Sequence, residues 1–402
     1  MARLTKQQLQ AVKDKYGVSE LWSWSKLDSA IISPYLYFLK YILHVKEDRD
    51  DSAYAPLGSI CHSALEAFYN GEIQYEDMIG NFEEGWLTAI DIADLKFDRN
   101  DASKNSKIAI KYKENLQHFF QNHTRLLYKP VLEKFVAAKI GDHVFQGYID
   151  VTFKDDQDYY HIIDWKTSTI YTGKTAQEKC GQLVIYAIAL NQMGVSLDKI
   201  RCAWNFLKYV TIEYKQKNGA VKSRNVERCK IGESLQANAK MWLKSHGYSE
   251  SETDRYLQIL LDTNNIASLP EEVQQLYKVS DCYVYIDLDA KLMQHWCDYI
   301  IQAISDIKLR EKEYEAKKSD MAFWDTDESI KSQEYFLATL CGYSPSLHRP
   351  YKLYLEKQQE NKSGNMFAGI GSESDSSFGK ATKRINYSGR DIQLDLSWLD
   401  NI

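Results

Sequence analysis

Residues 131–167 constrain the fold more than any other part of the chain. VLEKFVAAKI (131–140) reads as a strand, Gly141-Asp142 makes a turn, and HVFQGYIDVTF (143–153) reads as a second strand. A polar loop, KDDQD, leads to a third, YYHIIDWKT (159–167). Period-two patterning puts successive side chains on opposite faces, so three consecutive strands in a meander are expected. A helix over 57–70 precedes them, and a helix over 176–192 with a strand over 200–209 follows. The order α-β-β-β-α-β specifies an α/β fold with a mixed central sheet flanked by helices.

The flanks add helices. Residues 1–20 suggest a short polar helix. Ser33-Pro34 marks another start, with Tyr35, Phe38, Leu39 and Ile42 on one face. Residues 75–127 have helical spacing interrupted near 98–106. Beyond the core, Asn218-Gly219 signals a hairpin within 210–230. Residues 232–263 and 288–317 have helical spacing, with strand-like VYIDL between them. From about 358 the chain turns Ser-, Gly- and Asn-rich, which suggests a flexible tail. The expected organisation is an N-terminal helical segment (1–56), a core (57–210) with a helical insertion (about 71–128), a hairpin and helical lobe (211–357), and the tail (358–402).

Composition removes several functions. The net charge of −6 argues against a protein that merely coats nucleic acid, because phosphate contacts favour a basic surface. It leaves room for an enzyme whose metal-binding carboxylates carry the negative charge. The 7 cysteines are scattered without a CxxC pair, which suggests reduced thiols in a cytoplasmic protein. No apolar signal core or membrane-length run is visible. A motor would need GxxxxGK[ST] after a strand, and FGKAT (378–382) lacks the first glycine.

Three features carry chemistry. Asp164 and Lys166 share one face of the third strand, and Asp150 sits near the end of the second, so a meander brings the two carboxylates to one sheet edge. Such a pair is a hard oxygen site for Mg²⁺ or Mn²⁺, and Lys166 beside it can position a water or offset charge on a phosphate. A hairpin salt bridge is the plainer alternative. Second, His62 follows Gly58 at i+4 on the preceding helix, with Glu66 one turn on. A neutral imidazole ligates Mn²⁺ well and tolerates Mg²⁺, although a hydrogen-bonded core histidine has the same spacing. Third, Gln182 and Tyr186 share a helix face and can orient the lysine, a water or a phosphate oxygen. Core packing for Tyr186 is the alternative.

The ordered series LGSICHSALEAFY (57–69), VLEKFVAAKIGDHVFQGYIDV (131–151), YHIIDWKTS (160–168) and GQLVIYAIAL (181–190) resembles the PD-(D/E)XK nuclease superfamily in its RecB-like branch. That branch includes the nuclease domain of RecB, the CRISPR adaptation nuclease and many phage exonucleases. The resemblance covers residues 22–210 well and the remainder loosely. It implies a restriction-endonuclease-like core and Mg²⁺- or Mn²⁺-dependent hydrolysis of DNA, by an exonuclease, in replication, recombination or repair, with a phage origin among the options. It also implies roles: His62 completes the metal site, Asp150 bridges metal, Asp164 and Lys166 are acid and base, the Trp165 backbone carbonyl is a ligand, and Gln182 and Tyr186 support the lysine and substrate. Glu133 matches an acid at the start of the first strand. Many relatives also carry a four-cysteine iron–sulfur cluster. Here Ser33-Pro34 stands at the first cysteine position and only Cys341 lies in the later region, so no cluster is expected. Tyr35, Phe38, Tyr343 and Tyr351 are expected to pack the two segments together instead.

Two rival functions share this fold: a catalytically idle DNA-binding or assembly subunit, and an RNA-directed nuclease. Trp204, Tyr209 and Tyr214 are candidates for base stacking, with core packing as the alternative. In the tail, Leu394, Leu396, Trp398, Leu399 and Ile402 among acids form a peptide suited to docking on a replication or recombination protein.

Overall fold

The three runs become antiparallel strands, and further strands join them in one sheet of 7. In a computed structural model, which describes residues 3–50 and 52–368, these are β1 (Leu21–Trp22), β2 (Val131–Ile140), β3 (His143–Lys154), β4 (Tyr160–Lys166), β5 (Ile200–Lys215), β6 (Val221–Glu227) and β7 (Tyr277–Ile286). β3 is antiparallel to β2 along its length and to β4 at its C-terminal end, and it meets β1 in parallel at Val144 and Phe145. The 146–150 stretch of β3 therefore lies between β1 and β4 without a ladder partner from either. β4 and β5 run parallel, joined through the helix Gly181–Gln192, which supplies the crossover that parallel neighbours require. The sheet is thus mixed and helix-flanked, the α/β architecture that the meander specifies.

β5 changes partners along its length. It pairs with β4 from Ile200 to Phe206 and with β6 from Tyr209 to Lys215. β7 follows its other edge, with a register shift between Asn205 and Val210. The seam at Leu207 and Lys208 is where the sheet divides. Arg228, buried just past β6, closes the seam: its Nε donates to Leu207 O at 2.7 Å and its guanidinium pairs with Asp281 of β7.

Two layers of helix enclose the sheet. Tyr54–Asn70 and Ala102–Asn122 bring Leu57, Cys61, Leu65, Leu116 and Phe119 into one apolar cluster with Trp165 and Leu207. On the other face, Gly181–Gln192 touches β2, β3, β4 and β5 on one side and the helix Ala290–Lys317 on another. That sandwiching explains why GQLVIYAIAL is apolar all round rather than striped.

Expected boundaries hold closely around the meander and less well elsewhere. The span 232–263 is two helices, Ile231–Ser245 and Glu250–Thr263. Gly247 between them has φ +89°, a left-handed conformation that glycine adopts freely, and Ser249 with Glu252 forms a capping box that starts the second helix. The helix Arg349–Ala368 runs past 358, where the tail was expected to begin. Contacts divide the chain at Tyr354/Leu355. The apolar–acidic peptide at 394–402 lies outside the described residues.

The segments compared with a cluster-binding pair do pack together. Tyr35 meets Phe38 and His348 at tilted angles and Trp324 edge-on, and Tyr343 donates to Val45 O at 2.8 Å. Ser33 Oγ donates to Asp325 Oδ2 at 2.7 Å and lies 3.0 Å from His348 Nε2, all three buried. Trp204 and Tyr209 are buried, and Tyr214 packs on the apolar cluster of the β6–β7 lobe. Core packing, not base stacking, is what these three do. None of the described helices is long and apolar enough to cross a membrane.

Candidate metal centre and its cleft

The strand register sets three acids in a row. Val151 pairs with Leu132 of β2 and with Ile163 of β4, so the next step along β3 sets Asp150 between Glu133 and Asp164. Glu133 has φ +46°, a strained conformation for a residue with a Cβ, and Leu132 and Lys134 on either side keep their ladder partners. Strain of this kind is held in place by surrounding structure and clusters at working sites.

The helix Tyr54–Asn70 lays His62 and Glu66 against this row. His62 Nε2 is 3.1 Å from Trp165 O and 3.8 Å from Asp150 Oδ2. Ligand atoms of His62, Glu66 and Glu133 lie within 4.8 Å of one another. The two acids that sequence marked least firmly, Glu66 and Glu133, thus converge on the imidazole. Asp150 Oδ2 accepts from Trp165 N at 3.0 Å, which fixes its carboxylate beside the Trp165 carbonyl. Asp164 Oδ2 is buried, touches Lys166 Nζ at 2.6 Å, and takes no well-directed hydrogen bond. The Asp164 carboxylate, with an imidazole, a backbone carbonyl and clustered carboxylates nearby, makes a donor set suited to a hard divalent cation.

Charge is unbalanced as well. Burial, then the adjacent Asp164 carboxylate, pushes the Asp150 carboxyl well above the ordinary range, against the opposing pull of Lys166. Burial and Glu133 raise Glu66 in the same way. Lys166 is held above the ordinary lysine value: burial opposes its charge, but the Asp164 and Asp150 carboxylates outweigh it. Perturbed carboxyls of this kind mark functional sites.

Gln182 and Tyr186 line one recess with Asp150 and Lys166, and they also brace β3. Gln182 Nε2 donates to Tyr186 OH at 3.0 Å, and Tyr186 OH donates to Tyr148 O at 2.7 Å. Tyr186 is committed to the open stretch of β3 and serves as scaffold. Gly147 makes room for it: a Cβ there would lie 2.6 Å from the Tyr186 ring. Gly147→Ala is expected to cost about 1–3 kcal/mol through overpacking. Urea unfolding checks this, and a parent-like midpoint would show that the ring moves freely.

A cleft of about 1360 Å³ opens over the centre, with His62, Glu66, Glu133 and Lys166 in its wall. Tyr54, Tyr112, Tyr171 and Tyr335 line it, and Arg3, Lys111, Lys179 and Lys208 supply positive charge. Tyrosine faces with interleaved cations suit a nucleic-acid strand. None of these residues stood out in sequence. Asp28, whose carboxyl burial raises while Lys179 and Lys166 act to lower it, was hidden in an amphipathic helix. Arg3 lies over the Tyr148 ring, 5.6 Å from its centroid, and Leu4 N donates to Tyr148 OH at 2.7 Å.

No curated protein matches the chain. The family model of the PD-(D/E)XK nuclease superfamily matches residues 21–320, from β1 through the acid row and the β6–β7 lobe. With a match over most of its length, and the acid row, imidazole and lysine gathered at one end of β4, this chain belongs to the PD-(D/E)XK nuclease superfamily.

Proposed function

We propose that this metal-dependent nuclease acts on DNA, removes nucleotides from a strand end, and serves replication, recombination or repair, like the exonucleases of the RecB-like branch. The observation that carries the reading is the cleft. Its wall draws on the N-terminal Arg3, the helix Tyr54–Asn70 and, from the far end of the chain, Tyr335 and Phe336. Its tyrosines and lysines suit a single strand better than an uninterrupted duplex, and the preference for an end follows the RecB-like exonucleases that the sequence resembles.

In this reading His62, Asp150, Asp164 and the Trp165 carbonyl hold Mg²⁺ or Mn²⁺, with Glu66 and Glu133 within reach of a second ion. A bound divalent cation supplies Lewis acidity and acidifies water. Lys166, kept charged by Asp164, orients the attacking water and offsets charge as the phosphorus becomes five-coordinate. Asp150 stays fixed by the Trp165 amide. Gln182 and Tyr186 hold β3, and so Asp150, in position.

The test is a gel assay on 5′- and 3′-end-labelled single-stranded DNA, duplex DNA and RNA, with Mg²⁺, Mn²⁺ or EDTA. Linear DNA should shorten from an end and circular DNA should persist, with all cutting stopped by EDTA. Lys166→Ala should slow cutting by at least about 10²-fold. Cutting of circles would overturn the end preference. A preference for RNA would overturn the DNA assignment.

A further inference from the structure

Lys208 occupies the seam where β5 leaves β4 and β6 takes over, with only 5% of its surface exposed. Its ammonium rests over the Tyr112 ring, 3.4 Å from the centroid. Glu227, the nearby acid, gives a carboxylate oxygen to Lys111 at 2.7 Å instead. A cation stripped of water in this way is costly unless an anion completes it. Both lysines line the same cleft as His62, Glu66 and Lys166.

The seam also has the right position. Phe206 is the partner of Lys166, and Lys208 lies two residues further along β5, about 7 Å along an extended strand. β4 ends at Lys166, so the space beyond it is a crevice past a strand's carboxyl end at a point where the sheet divides, a place where α/β sheets bind ligands.

We propose that Lys208 and Lys111 form a phosphate subsite of the cleft, gripping the substrate backbone beyond the scissile bond; the proposal rests on the nuclease reading above. Tyr112 supports the Lys208 ammonium from below and leaves its remaining N–H groups for phosphate oxygens. Burial brings the Lys208 pKa down to about 7. Of the charged groups facing it, Lys111 on the helix Ala102–Asn122 adds to that fall, while Glu227 of β6 and Cys229 just beyond it oppose it. A bound phosphate raises the lysine pKa again. The grip is therefore strong below pH 7 and weakens above it, by about tenfold from pH 6 to pH 8.

Fluorescence anisotropy with a fluorescein-labelled oligothymidylate tests this, in EDTA so that no cleavage occurs and at constant ionic strength. The parent should bind about tenfold more weakly at pH 8 than at pH 6. Lys208→Gln should bind weakly at both and lose the pH dependence. Lys208→Arg should bind tightly at both. Lys111→Ala should weaken binding at pH 6 and, because it removes one of the charges that lower the Lys208 pKa, should shift the fall in binding to higher pH. Circular dichroism melting identifies any variant that fails to fold, and the parent's own pH profile decides in that event. Parent binding that ignores pH, or is undetectable, would overturn the subsite, as would Lys208→Gln binding with the parent's profile. The nuclease reading stands or falls separately, on the gel assay.

Discussion

Asp150→Asn is expected to give a protein that melts higher than the parent in EDTA yet no longer cuts. Asp150 lies near Asp164 and Glu133, and both of these like charges disfavour its ionisation. Its carboxyl is raised well above the ordinary range, first by burial and then by Asp164. A folded-state pKa above the unfolded one means that folding binds a proton, so this group costs stability as pH rises from the ordinary carboxyl value through the raised one. At neutral pH a neutral amide removes that cost and can still accept from the Trp165 amide. The melting temperature should rise by roughly 2 °C or more. Mg²⁺ should then stabilise the parent and not the variant, since only a protein that binds the ion gains from it. Cutting should fall by about 10³-fold or more. Differential scanning fluorimetry with and without Mg²⁺, beside the gel assay, checks both halves. A variant that melts lower in EDTA, or cuts like the parent, refutes the argument.

The second large effect lies away from the chemistry. Asp281 is buried on β7, where Oδ2 meets His123 Nδ1 at 3.0 Å and the other oxygen pairs with Arg228. Arg228 in turn holds Leu207 O and lies over the Phe119 ring, 4.9 Å from its centroid. One carboxylate thus ties β5, β6, β7 and the helix Ala102–Asn122 together. Asp281→Ala leaves a buried guanidinium uncompensated, which costs about 3–5 kcal/mol. Burial alone would raise the Asp281 pKa, but His123 and Arg228 outweigh it and hold the carboxyl below the ordinary range. Its contribution is therefore complete above the ordinary carboxyl pKa and disappears as pH falls through the lowered one. Urea midpoints at pH 7 and in acid should show a large gap between parent and variant that narrows in acid. A gap that is small at pH 7 would mean that water replaces the carboxylate.

Much of the core was legible because its signals are local. The apolar run 131–140, closed by the Gly141-Asp142 turn, gives β2 to the residue, and Asn218-Gly219 gives the β5–β6 turn. The break at 246–249 was equally local, through Gly247 and the Ser249–Glu252 capping box, but continuous helical spacing masked it. The placement of Glu66 and Glu133 beside His62 was only partly legible: helix spacing gives the first, while the second depends on register across the sheet. Arg3, Asp28, Lys208 and the cleft tyrosines depend on contacts between distant segments, for which a single sequence carries no period. Tyr186 shows what spacing leaves out. Its spacing from Gln182 is right for a site pair, yet burial and the Tyr148 carbonyl claim its hydroxyl for the scaffold.

The partner change along β5 separates two tasks that a uniform sheet would merge. Its first half pairs with the strand that bears Asp164 and Lys166, its second half pairs with β6, and β7 borders both halves on the other edge. Lengthening the β5–β6 hairpin would extend only the edge beyond Leu207-Lys208, while β4 and the first half of β5 keep their register and the reacting groups keep their spacing.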